Sequence, residues 1–406
     1  MALIVQKYGG SSVADADKIR NVARRIAVTK DKGNQVVVAV SAMGDTTDEL
    51  ISLAYQINEH PDGRELDALV STGELVSSTL LAMALEAMGY DAISLSGGQA
   101  GIRTDSTYRR ALILKVESKR VVKELEKGNI VIVAGFQGIS EGEDITTLGR
   151  GGSDTTAVAL AGSLEAEVCQ IYTDVEGVYT ADPRLVPEAQ RLDEIGYDEM
   201  LELAVQGAKV MHPRAVELGE LYNIPILVAS SFTDNPGTLI HGGVSMEVRN
   251  KVRGIAHDLD VAKVTVVGVP DRPGIAAAIF EPLAAASISV DTIVQNASID
   301  NITDLTFTVA RGQLDEVMKV IQPISQEIGA RECVSDATLG KVSIVGTGMQ
   351  NMPGFAARMF STLSEKGINI QLISTSEIRI TCIIDEVRVK DAVRALHRAF
   401  ELDVAD

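Results

Sequence analysis

Two glycine-bearing segments contain the residue types that bind a phosphate or a carboxylate. The first is KYGG at residues 7–10, which follows a short apolar run at the N-terminus. Paired glycines allow the backbone to approach a ligand closely, and a lysine supplies a point positive charge for a phosphate. A glycine turn after a strand usually has no binding function. KYGG alone therefore does not indicate a binding site, and a second anion-binding segment is required as support.

The second segment is GRGGSD at residues 149–154, and the alanine-rich residues after it predict a helix. Capping of that helix explains Ser153 or Asp154. Capping does not explain three glycines around one arginine. They indicate a backbone that wraps an anion while the Arg150 guanidinium makes a forked contact with a carboxylate or phosphate.

Two later segments are candidates for a nucleotide site. Residues 172–184 (YTDVEGVYTADPR) place acidic, aromatic and basic side chains after a predicted strand. Residues 207–213 (GAKVMHP) place Lys209 close to a predicted helix start, where it can contact a phosphate. Taken alone, either segment is equally well explained as an ordinary loop.

Other catalytic motifs are absent or misplaced. Residues 138–142 (GISEG) match the spacing of a nucleophile elbow, but an acidic, glycine-rich loop follows them instead of a helix. The sequence contains neither a P-loop nor a GxGxxG after a strand. The five histidines show no metal-ligand spacing, so no metal ligands are predicted and His212 is interpreted as structural.

The composition argues against several classes of protein. A length of 406 residues predicts two or three domains, and a net charge of −19 argues against nucleic-acid binding through a basic surface. No apolar run approaches the ~20 residues that span a bilayer, and the N-terminal apolar run is too short for a secretory signal. The lack of such a run predicts no membrane partner. The three cysteines show no CxxC spacing, which indicates reduced thiols and a cytoplasmic location.

The elements that position these segments alternate along the first 230 residues. Short β-branched runs predict strands at 3–6, 35–41, 91–95, 129–135, 168–174 and 224–230. Helices are predicted at 15–32, 46–58, 64–88, 117–127, 153–163 and 213–222. Gly33, Gly89 and Gly128 lie where helix C-caps are expected. Such alternation predicts an α/β domain with a mostly parallel sheet covered by helices on both faces.

A duplicated module follows this domain. KVTVVG at 263–268 recurs as KVSIVG at 341–346, and the Pro-Gly pair at 273–274 recurs at 353–354. A repeat offset of about 80 residues is too long for a solenoid unit and suits a small duplicated domain. Each copy predicts strand, Pro-Gly loop, helix, strand, strand and helix, which is a ferredoxin-like βαββαβ arrangement.

This duplicated pattern resembles the ACT domain, in which the Pro-Gly turn opens a helix and helps to form an amino-acid site between paired modules. The resemblance divides the chain into a catalytic domain at 1–245, a linker at 246–262, a first ACT domain at 263–335 and a second ACT domain at 336–406. Two ferredoxin-like modules that bind nothing are the alternative interpretation.

The chain closely resembles aspartate kinase of the amino-acid-kinase superfamily in motifs that occur in a fixed order: KYGGSS (7–12), SAMGDTTDEL (41–50), STGE (71–74), TTLGRGGSD (146–154), YTDVEGVYTADPR (172–184) and KVMHPRA (209–215). With the ACT-like pair, the resemblance covers essentially the whole chain. It implies transfer of the γ-phosphoryl group of ATP, with Mg²⁺, to the side-chain carboxylate of L-aspartate. This reaction gives 4-phospho-L-aspartate and opens the biosynthesis of lysine, threonine, methionine and diaminopimelate.

The resemblance implies roles for individual residues. Lys7 contacts the transferring phosphoryl group, and Asp154 organises Lys7 or the metal-bound phosphates. Arg150 binds the α-carboxylate of aspartate and Glu74 its α-ammonium, although Glu74 by itself is an ordinary helix residue. The aspartate and phosphate cleft is lined by Ser41, Thr47, Gly151, Gly152 and Ser153. The nucleotide contacts are Lys7, Tyr8, Gly9, Gly10, Ser41, Thr173, Asp174, Tyr179, Thr180, Ala181, Asp182, Pro183, Arg184 and Lys209.

The ACT-like pair matches the regulatory part of aspartate kinases that are inhibited by lysine, threonine or both. The candidate effector contacts in the first copy are Asp271, Gly274, Ile275, Ala276, Ser289, Val290, Asp291, Gln295 and Asn296. Those in the second copy are Phe355, Ala356, Asn369, Ile370, Ser376 and Glu377. The second copy has Asn351-Met352 where the first has Asp271-Arg272, so two equivalent effector sites are not expected.

Assembly and activity each leave alternatives open. ACT modules usually pair across chains, which favours a homo-oligomer or an α₂β₂ arrangement over a monomer. Met246 is a candidate internal start for a separate regulatory subunit, and the favoured alternative is an ordinary methionine. One alternative activity is that of a relative acting on glutamate, acetylglutamate or a nucleoside monophosphate. Another is a catalytically silent amino-acid sensor, and the intact phosphate-binding segments argue against it.

Overall fold

The computed structural model of the chain describes residues 2–243, 252–296, 300–347, 349 and 353–404. The chain divides into two compact units. The first unit comprises Met1–Tyr179, Arg191–Val205 and Lys209–Val248. The second unit comprises Thr180–Gln190, Gln206–Ala208 and Arg249–Asp406.

The first unit is built from alternating strands and helices. Its strands are β1 (Leu3–Tyr8), β2 (Gln35–Val40), β3 (Ala92–Leu95), β4 (Ile102–Thr104), β5 (Ile113–Val116), β6 (Ile130–Ala134), β7 (Gln137–Ile139), β8 (Ile145–Thr147), β9 (Val168–Thr173), β10 (Glu194–Ile195), β11 (Ile226–Ser230) and β12 (Thr238–Ile240). Its helices are α1 (Ala16–Asp31), α2 (Thr46–Ile57), α3 (Gly63–Val70), α4 (Thr72–Glu86), α5 (Lys119–Glu126), α6 (Gly152–Ser163), α7 (Tyr197–Val205) and α8 (Pro213–Tyr222). The predicted strands and helices of the first 230 residues are thereby confirmed, with boundary shifts of a few residues.

An eight-stranded sheet with the order β10-β12-β11-β9-β1-β2-β6-β3 forms the centre of this unit. The strands from β11 to β3 run parallel, while β12 is antiparallel to β11. Strands β2 and β6 are almost wholly buried, as expected for a parallel sheet with both faces covered.

Neighbouring residues of β1 point to opposite faces of this sheet, because side chains alternate along a strand. Tyr8 packs into a core cluster with residues of α1 and α4. Lys7 instead pairs with Asp154 in the first turn of α6. The strand therefore sends its lysine toward the face that α6 covers and its tyrosine into the opposite core.

A second, smaller sheet of the first unit has the order β5-β4-β7-β8. Its strands are three or four residues long, and the sequence interpretation did not find them. Strand β8 ends at Thr147, which leads directly into the glycine-rich residues 149–152. This sheet therefore positions the segment that carries Arg150.

Helices α3 and α4 form a nearly continuous stretch, Gly63–Glu86, that is long and apolar enough to cross a membrane by length and composition alone. Half of its most apolar window is buried inside the protein. The carboxylates of Asp67 and Glu74 are buried along it as well. This burial is typical of a core helix.

The second unit contains an antiparallel sheet with helices. Its strands are β13 (Gly254–Pro270), β14 (Ile293–Gln295), β15 (Ile302–Val309), β16 (Glu332–Val345), β17 (Leu372–Thr375) and β18 (Arg379–Asp385), and its helices are α9 (Ile275–Ala285), α10 (Leu314–Glu327), α11 (Phe355–Glu365) and α12 (Val389–Ala399). The strand order is β14-β15-β13-β16-β18-β17. Helices α9 and α11 both begin directly after a Pro-Gly pair, with Gly274 at φ 89° and Gly354 at φ 112° as N-caps, which confirms the predicted duplication.

The two ferredoxin-like copies share their long strands. Residues 254–258 of β13 pair with residues 341–345 of β16, whereas residues 261–267 pair with residues 332–339. The first copy consists of the second half of β13, α9, β14, β15, α10 and the first half of β16. The second copy consists of the second half of β16, α11, β17, β18 and α12, and residues 254–258 supply its remaining strand.

This arrangement corrects two predicted boundaries. The linker prediction of 246–262 is wrong from Gly254 onward, because that part is strand; Leu259 and Asp260 are exposed there, where the pairing register shifts. The boundary between 335 and 336 falls inside the continuous strand β16. Met246, and the residues Asn351 and Met352 that distinguish the second copy, lie outside the described residues.

Two segments assigned to the catalytic domain by sequence belong to the second unit. The Thr180 hydroxyl lies 2.9 Å from His397 Nε2, and the Ile255 N–H donates to the Thr180 carbonyl at 2.8 Å. The Ser343 hydroxyl donates to the side-chain oxygen of fully buried Gln206 at 3.1 Å. Residues 180–190 and 206–208 are therefore part of the packing of the ACT-like unit.

Candidate active site

The parallel strands of the first unit end at one edge of their sheet, where ligands bind in open α/β folds. Residues just beyond β1, β2, β6 and β8 line a cavity of about 550 Å³ at this edge, together with residues of α2, α3, α4 and α6. The cavity brings together these predicted site residues: Lys7, Gly10, Ser41, Thr47, Glu74, Arg150, Gly151, Gly152, Ser153 and Asp154. Segments that are far apart in sequence thus meet at one site.

Lys7 is held by an ion pair at this cavity. Its Nζ lies 2.7 Å from Oδ1 of Asp154, and the two side chains are only 10% and 13% exposed. A Cβ on Gly9 would lie 3.4 Å from the same Nζ, so the glycine backbone is adjacent to the charge. The pair keeps a positive charge in a fixed place, available to a phosphoryl group.

At two positions of the predicted segments, only glycine fits, because a Cβ atom would clash with neighbouring atoms. A Cβ on Gly10 would lie 2.9 Å from the carbonyl oxygen of Ala42. Gly151 adopts a left-handed conformation, with φ 68°, and a Cβ there would lie 2.3 Å from the His212 side chain. His212 packs directly on the loop that carries Arg150, and its purely structural role stays a prediction.

The amino end of α6 faces the cavity through Gly152 and Ser153. First-turn N–H groups of a helix have no acceptor within the helix, and the helix dipole makes this end positive. An anion in the cavity is therefore stabilised by α6 as well as by Lys7.

Glu74 supplies an unusual carboxylate in the cavity. Its side chain is 3% exposed; Oε1 accepts the Ala42 N–H at 3.1 Å, while no hydrogen-bond partner is found for Oε2 among the described residues. Burial raises the pKa of Glu74 to about 7. A carboxylate in this state can bind an ammonium group that enters the cavity.

The sequence interpretation missed several residues that line the cavity, among them Asp67, Arg109, Phe136 and Thr147. Asp67, Arg109 and Phe136 lie outside the quoted motifs, whereas Thr147 lies in TTLGRGGSD but was given no role. Asp67 lies seven positions before Glu74, and both are acidic residues on the apolar face of one helical stretch. An i, i+7 pair of acids on a buried face was the signal that could have identified Asp67.

Some predicted nucleotide contacts lie elsewhere in the first unit. Thr173 is the last residue of β9, beside β1, and its hydroxyl donates to Asp174 at 3.1 Å. Tyr179 donates to Glu176, and Lys209 is exposed between α7 and α8. Their contact with a nucleotide stays a prediction.

The prediction that the Tyr8 side chain contacts the nucleotide is corrected by the structure. Its side chain is fully buried and stacks on Tyr172 with ring centroids 5.0 Å apart. The aromatic side chain cannot contact a nucleotide, because strand alternation turns it into the core opposite Lys7.

The remaining predicted nucleotide residues, Thr180, Ala181, Asp182, Pro183 and Arg184, lie in the second unit. The Thr180 side chain is 5% exposed and its hydroxyl contacts His397, so that hydroxyl is already occupied. Arg184 donates to both carboxylate oxygens of Asp182, which lowers the pKa of that acid.

The predicted effector residues all lie in the second unit. Gln295 and Asn296 are exposed at the end of β14, and Asn369, Ser376 and Glu377 are exposed in the second copy. Asp291 forms an ion pair with the buried Lys341 at 2.9 Å. The prediction for Ile275 is wrong for its side chain, which belongs to the hydrophobic core of the first copy.

Comparison with known proteins identifies the families to which the two units are similar. The chain matches the amino acid kinase family over residues 2–230 and the ACT domain over residues 263–325 and again over 342–400. It is 52% identical over 405 residues to aspartate kinase Ask_LysC of Stutzerimonas stutzeri (strain A1501), with 99% of this chain and 98% of that protein covered. The chain belongs to the aspartokinase family.

Solved aspartokinase structures agree with this assignment. The E. coli aspartokinase III in complex with aspartate and ADP, described as the R-state, superimposes with a TM-score of 0.83 at 26% identity and covers 98% of this chain and 100% of its own. The same enzyme in complex with lysine and aspartate, the T-state, gives 0.75 at 27% identity, with 98% and 99% covered. The predicted family, the α/β catalytic domain with two ACT domains and the aspartate-phosphorylating activity are confirmed.

Proposed function

We propose that this aspartokinase binds L-aspartate in the cavity of the first unit and phosphorylates its side-chain carboxylate with Mg-ATP. The observation that carries this assignment is the buried Oε2 of Glu74, which has no partner among the described residues and lies in the same cavity as Arg150 and Lys7. Glu74 would bind the α-ammonium and Arg150 the α-carboxylate. The opposite end of the substrate then lies toward Lys7 and the phosphoryl donor.

The chemistry agrees with the groups that line the cavity. A substrate carboxylate is already ionised at pH 7, so the nucleophile needs no general base. Phosphoryl transfer depends on positioning the reactants and on neutralising the charge of the transferring group. Lys7, held by Asp154, and the amino end of α6 supply that positive charge.

The site also suits a magnesium nucleotide. Bound Mg²⁺ supplies additional neutralisation of phosphate charge. Among the described residues, no group of three or more His, Cys, Asp or Glu side chains is placed to hold a metal ion. Mg²⁺ is normally held by one or two carboxylates together with the phosphates of the substrate, and Asp154 is the carboxylate beside the phosphate-binding lysine.

The second unit is the proposed site of feedback regulation by lysine, threonine or both. Support comes from the duplicated ACT match and from the lysine complex of the E. coli relative. Effector inhibition requires two conformations that bind the effector with different affinity. Pairing of ACT modules across chains, as a homo-oligomer or an α₂β₂ assembly, is part of this proposal; the edge strands β14 and β17 carry exposed Ile293 and Ile373.

A cytoplasmic location completes the proposal. The cysteines are unpaired, and burial raises the pKa of the Cys169 and Cys382 thiols, so neither forms a reactive thiolate.

The test is formation of aspartyl hydroxamate from L-aspartate, Mg-ATP and hydroxylamine, with and without lysine and threonine. Signal with aspartate, suppressed by one or both amino acids, supports both the active site and its regulation. Signal with glutamate but not aspartate would overturn the substrate assignment. Signal that neither amino acid suppresses would overturn the effector assignment only.

A further inference from the structure

Two segments beside the cavity contact each other, and these contacts have no role in the reaction proposed above. They are residues 109–111, in the connection between β4 and β5, and residues 147–149, at the end of β8. The Ala111 N–H donates to the Thr147 carbonyl at 2.8 Å. A Cβ on Gly149 would lie 3.0 Å from the Arg109 carbonyl oxygen. Arg109 therefore lies against the residue that precedes Arg150.

A buried carboxylate from α3 holds both segments. Asp67 is 1% exposed and accepts the Arg109 N–H on both of its oxygens, at 2.9 and 3.1 Å. It also accepts the Thr147 N–H at 2.7 Å and the Thr147 hydroxyl at 2.8 Å. No cation pairs with it among the described residues, so these hydrogen bonds alone compensate for its burial.

A cation from α8 holds the same two segments by their carbonyl groups. Arg214 donates to the Leu148 carbonyl at 2.7 Å and to the Ala111 carbonyl at 3.0 Å. The N–H groups of the paired segments thus meet Asp67, and their carbonyls meet Arg214. Opposite charges from two helices fix one pair of loops.

The backbone of Arg109 is strained in this position. Its φ of 70° lies in the left-handed region, which residues other than glycine rarely adopt. Such strain persists where the surroundings over-determine it, and it is concentrated at functional sites. Arg109 is an exposed residue that lines the cavity, and no ion pair of its guanidinium is found in the described parts of the chain.

We propose that Arg109 is a second substrate-binding guanidinium, which joins Arg150 in binding the α-carboxylate of the dicarboxylate substrate, and that Asp67 and Arg214 are positioning residues. The assignment rests on the proposed binding of aspartate in this cavity. A guanidinium presents a rigid fork of donors to a carboxylate, and its use depends on how well the arginine is placed. Fixing the two arginine-bearing segments to each other fixes the distance from the α-carboxylate to the reacting end.

The first test replaces Arg109 with methionine, which keeps most of the side-chain length without the charge. Arg110→Met is the matched control, because Arg110 is exposed and does not line the cavity. We expect Arg109→Met to raise the KM for aspartate about tenfold or more, as loss of a charged hydrogen bond does. The KM for ATP, and ADP binding measured by calorimetry, should change less than about twofold.

The outcomes separate the two proposals. A KM for aspartate in Arg109→Met equal to that in Arg110→Met overturns the role of Arg109 while the substrate assignment stands. Absence of any aspartate-dependent activity in the unaltered enzyme overturns the substrate assignment itself.

The second test concerns positioning. Asp67→Asn places an amide donor against the N–H donors, and Thr147→Val removes one of the four hydrogen bonds with little change of shape. Each substitution should raise the KM for aspartate in the protein that retains Arg109. In the Arg109→Met variant, the same substitution should raise that KM little further. If Asp67→Asn does not fold, Thr147→Val carries the test. If the fold-increases in the KM for aspartate caused by Thr147→Val and Arg109→Met simply multiply in the double variant, the positioning role of Asp67 is overturned.

Discussion

Lys7 and Glu74 lie in one cavity, but the protein compensates their charges differently. Lys7 has a carboxylate partner at 2.7 Å, whereas one oxygen of Glu74 lacks a partner among the described residues. An unpaired buried carboxylate costs free energy, which a substrate ammonium recovers when it binds. The unpaired oxygen therefore favours the amino-acid substrate over ligands without an ammonium group.

The raised pKa of Glu74, about 7, predicts a pH dependence of substrate binding. Ionised Glu74 is the form that attracts an ammonium, so the KM for aspartate should fall as the pH rises from 6 to 8. Glu74→Gln should raise this KM and remove its pH dependence in that interval. KM measured across the interval for both proteins tests this, and an unchanged pH profile in the variant would contradict it.

The same shift has the opposite consequence for the stability of the ligand-free protein. The pKa of Glu74 in the folded protein lies above the ordinary glutamate value of 4.5, so the folded protein holds this proton more tightly than the unfolded chain. The contribution of Glu74 to stability is therefore fully present below about pH 4.5 and is lost as the pH rises through about 7. A thermal unfolding series without ligand should show this decline, and it should be smaller in Glu74→Gln.

Lys7→Met should lower kcat by about 100-fold or more, because removal of one transition-state contact typically has an effect of that size. Lys18→Met is the control, since Lys18 is a helix residue outside the cavity whose side chain is 40% exposed and whose carboxylate partner lies 3.8 Å away. Turnover is measured by the hydroxamate assay at saturating substrates. A kcat equal to that of the control would exclude Lys7 from the mechanism.

At the scale of elements, the loop between β8 and α6 depends on Gly151. Gly151→Ala should lower kcat/KM for aspartate at least tenfold and destabilise the fold, because its Cβ would lie 2.3 Å from His212 and displace the segment of Arg150. Gly33→Ala is the control, since Gly33 has a similar φ of 84° but no atom within 4 Å. It should cost only about 1–2 kcal/mol of stability and leave activity unchanged. Similar activity losses in both variants would argue against the clash.

Sequence reasoning recovered the elements whose patterns are local. The long parallel strands carry β-branched runs, and Gly33, Gly89 and Gly128 all adopt positive φ at helix ends. The small sheet of β4, β5, β7 and β8 escaped detection because strands of three or four residues carry no measurable periodicity. Residues 254–262 were interpreted as linker because the exposed Leu259 and Asp260 interrupt any regular alternation of buried and exposed residues in this strand.

The site divides in the same way. Lys7, Glu74, Arg150 and Asp154 were found through motifs, and the structure brings them to one cavity. Asp67 and Arg109 were not, because their importance depends on hydrogen bonds between segments about 40 and 80 residues apart in the chain. Tertiary contacts of that range leave no pattern of their own in a single sequence, and for Asp67 the available local signal was its i, i+7 spacing from Glu74.

At the scale of the whole molecule, the second unit carries the regulatory predictions. Gln295→Ala should weaken inhibition by lysine or threonine while activity without effector stays unchanged, because the Gln295 side chain is exposed at the end of β14. Gln322→Ala, on the exposed side of α10, is the control. Inhibition curves for both variants and the unaltered protein decide the matter. Superimposable curves for all three would rule out an effector contact by Gln295.

The sharing of β13 and β16 between the ferredoxin-like copies limits how the regulatory part can be cut from the chain. The second copy is permuted: one of its strands, residues 254–258, is synthesised before the entire first copy. A fragment that starts at residue 263 would expose an unsatisfied edge along residues 341–345 and would be prone to aggregation. A fragment translated from Met246 retains that strand, so a start codon at that position falls on the correct side of the topological boundary.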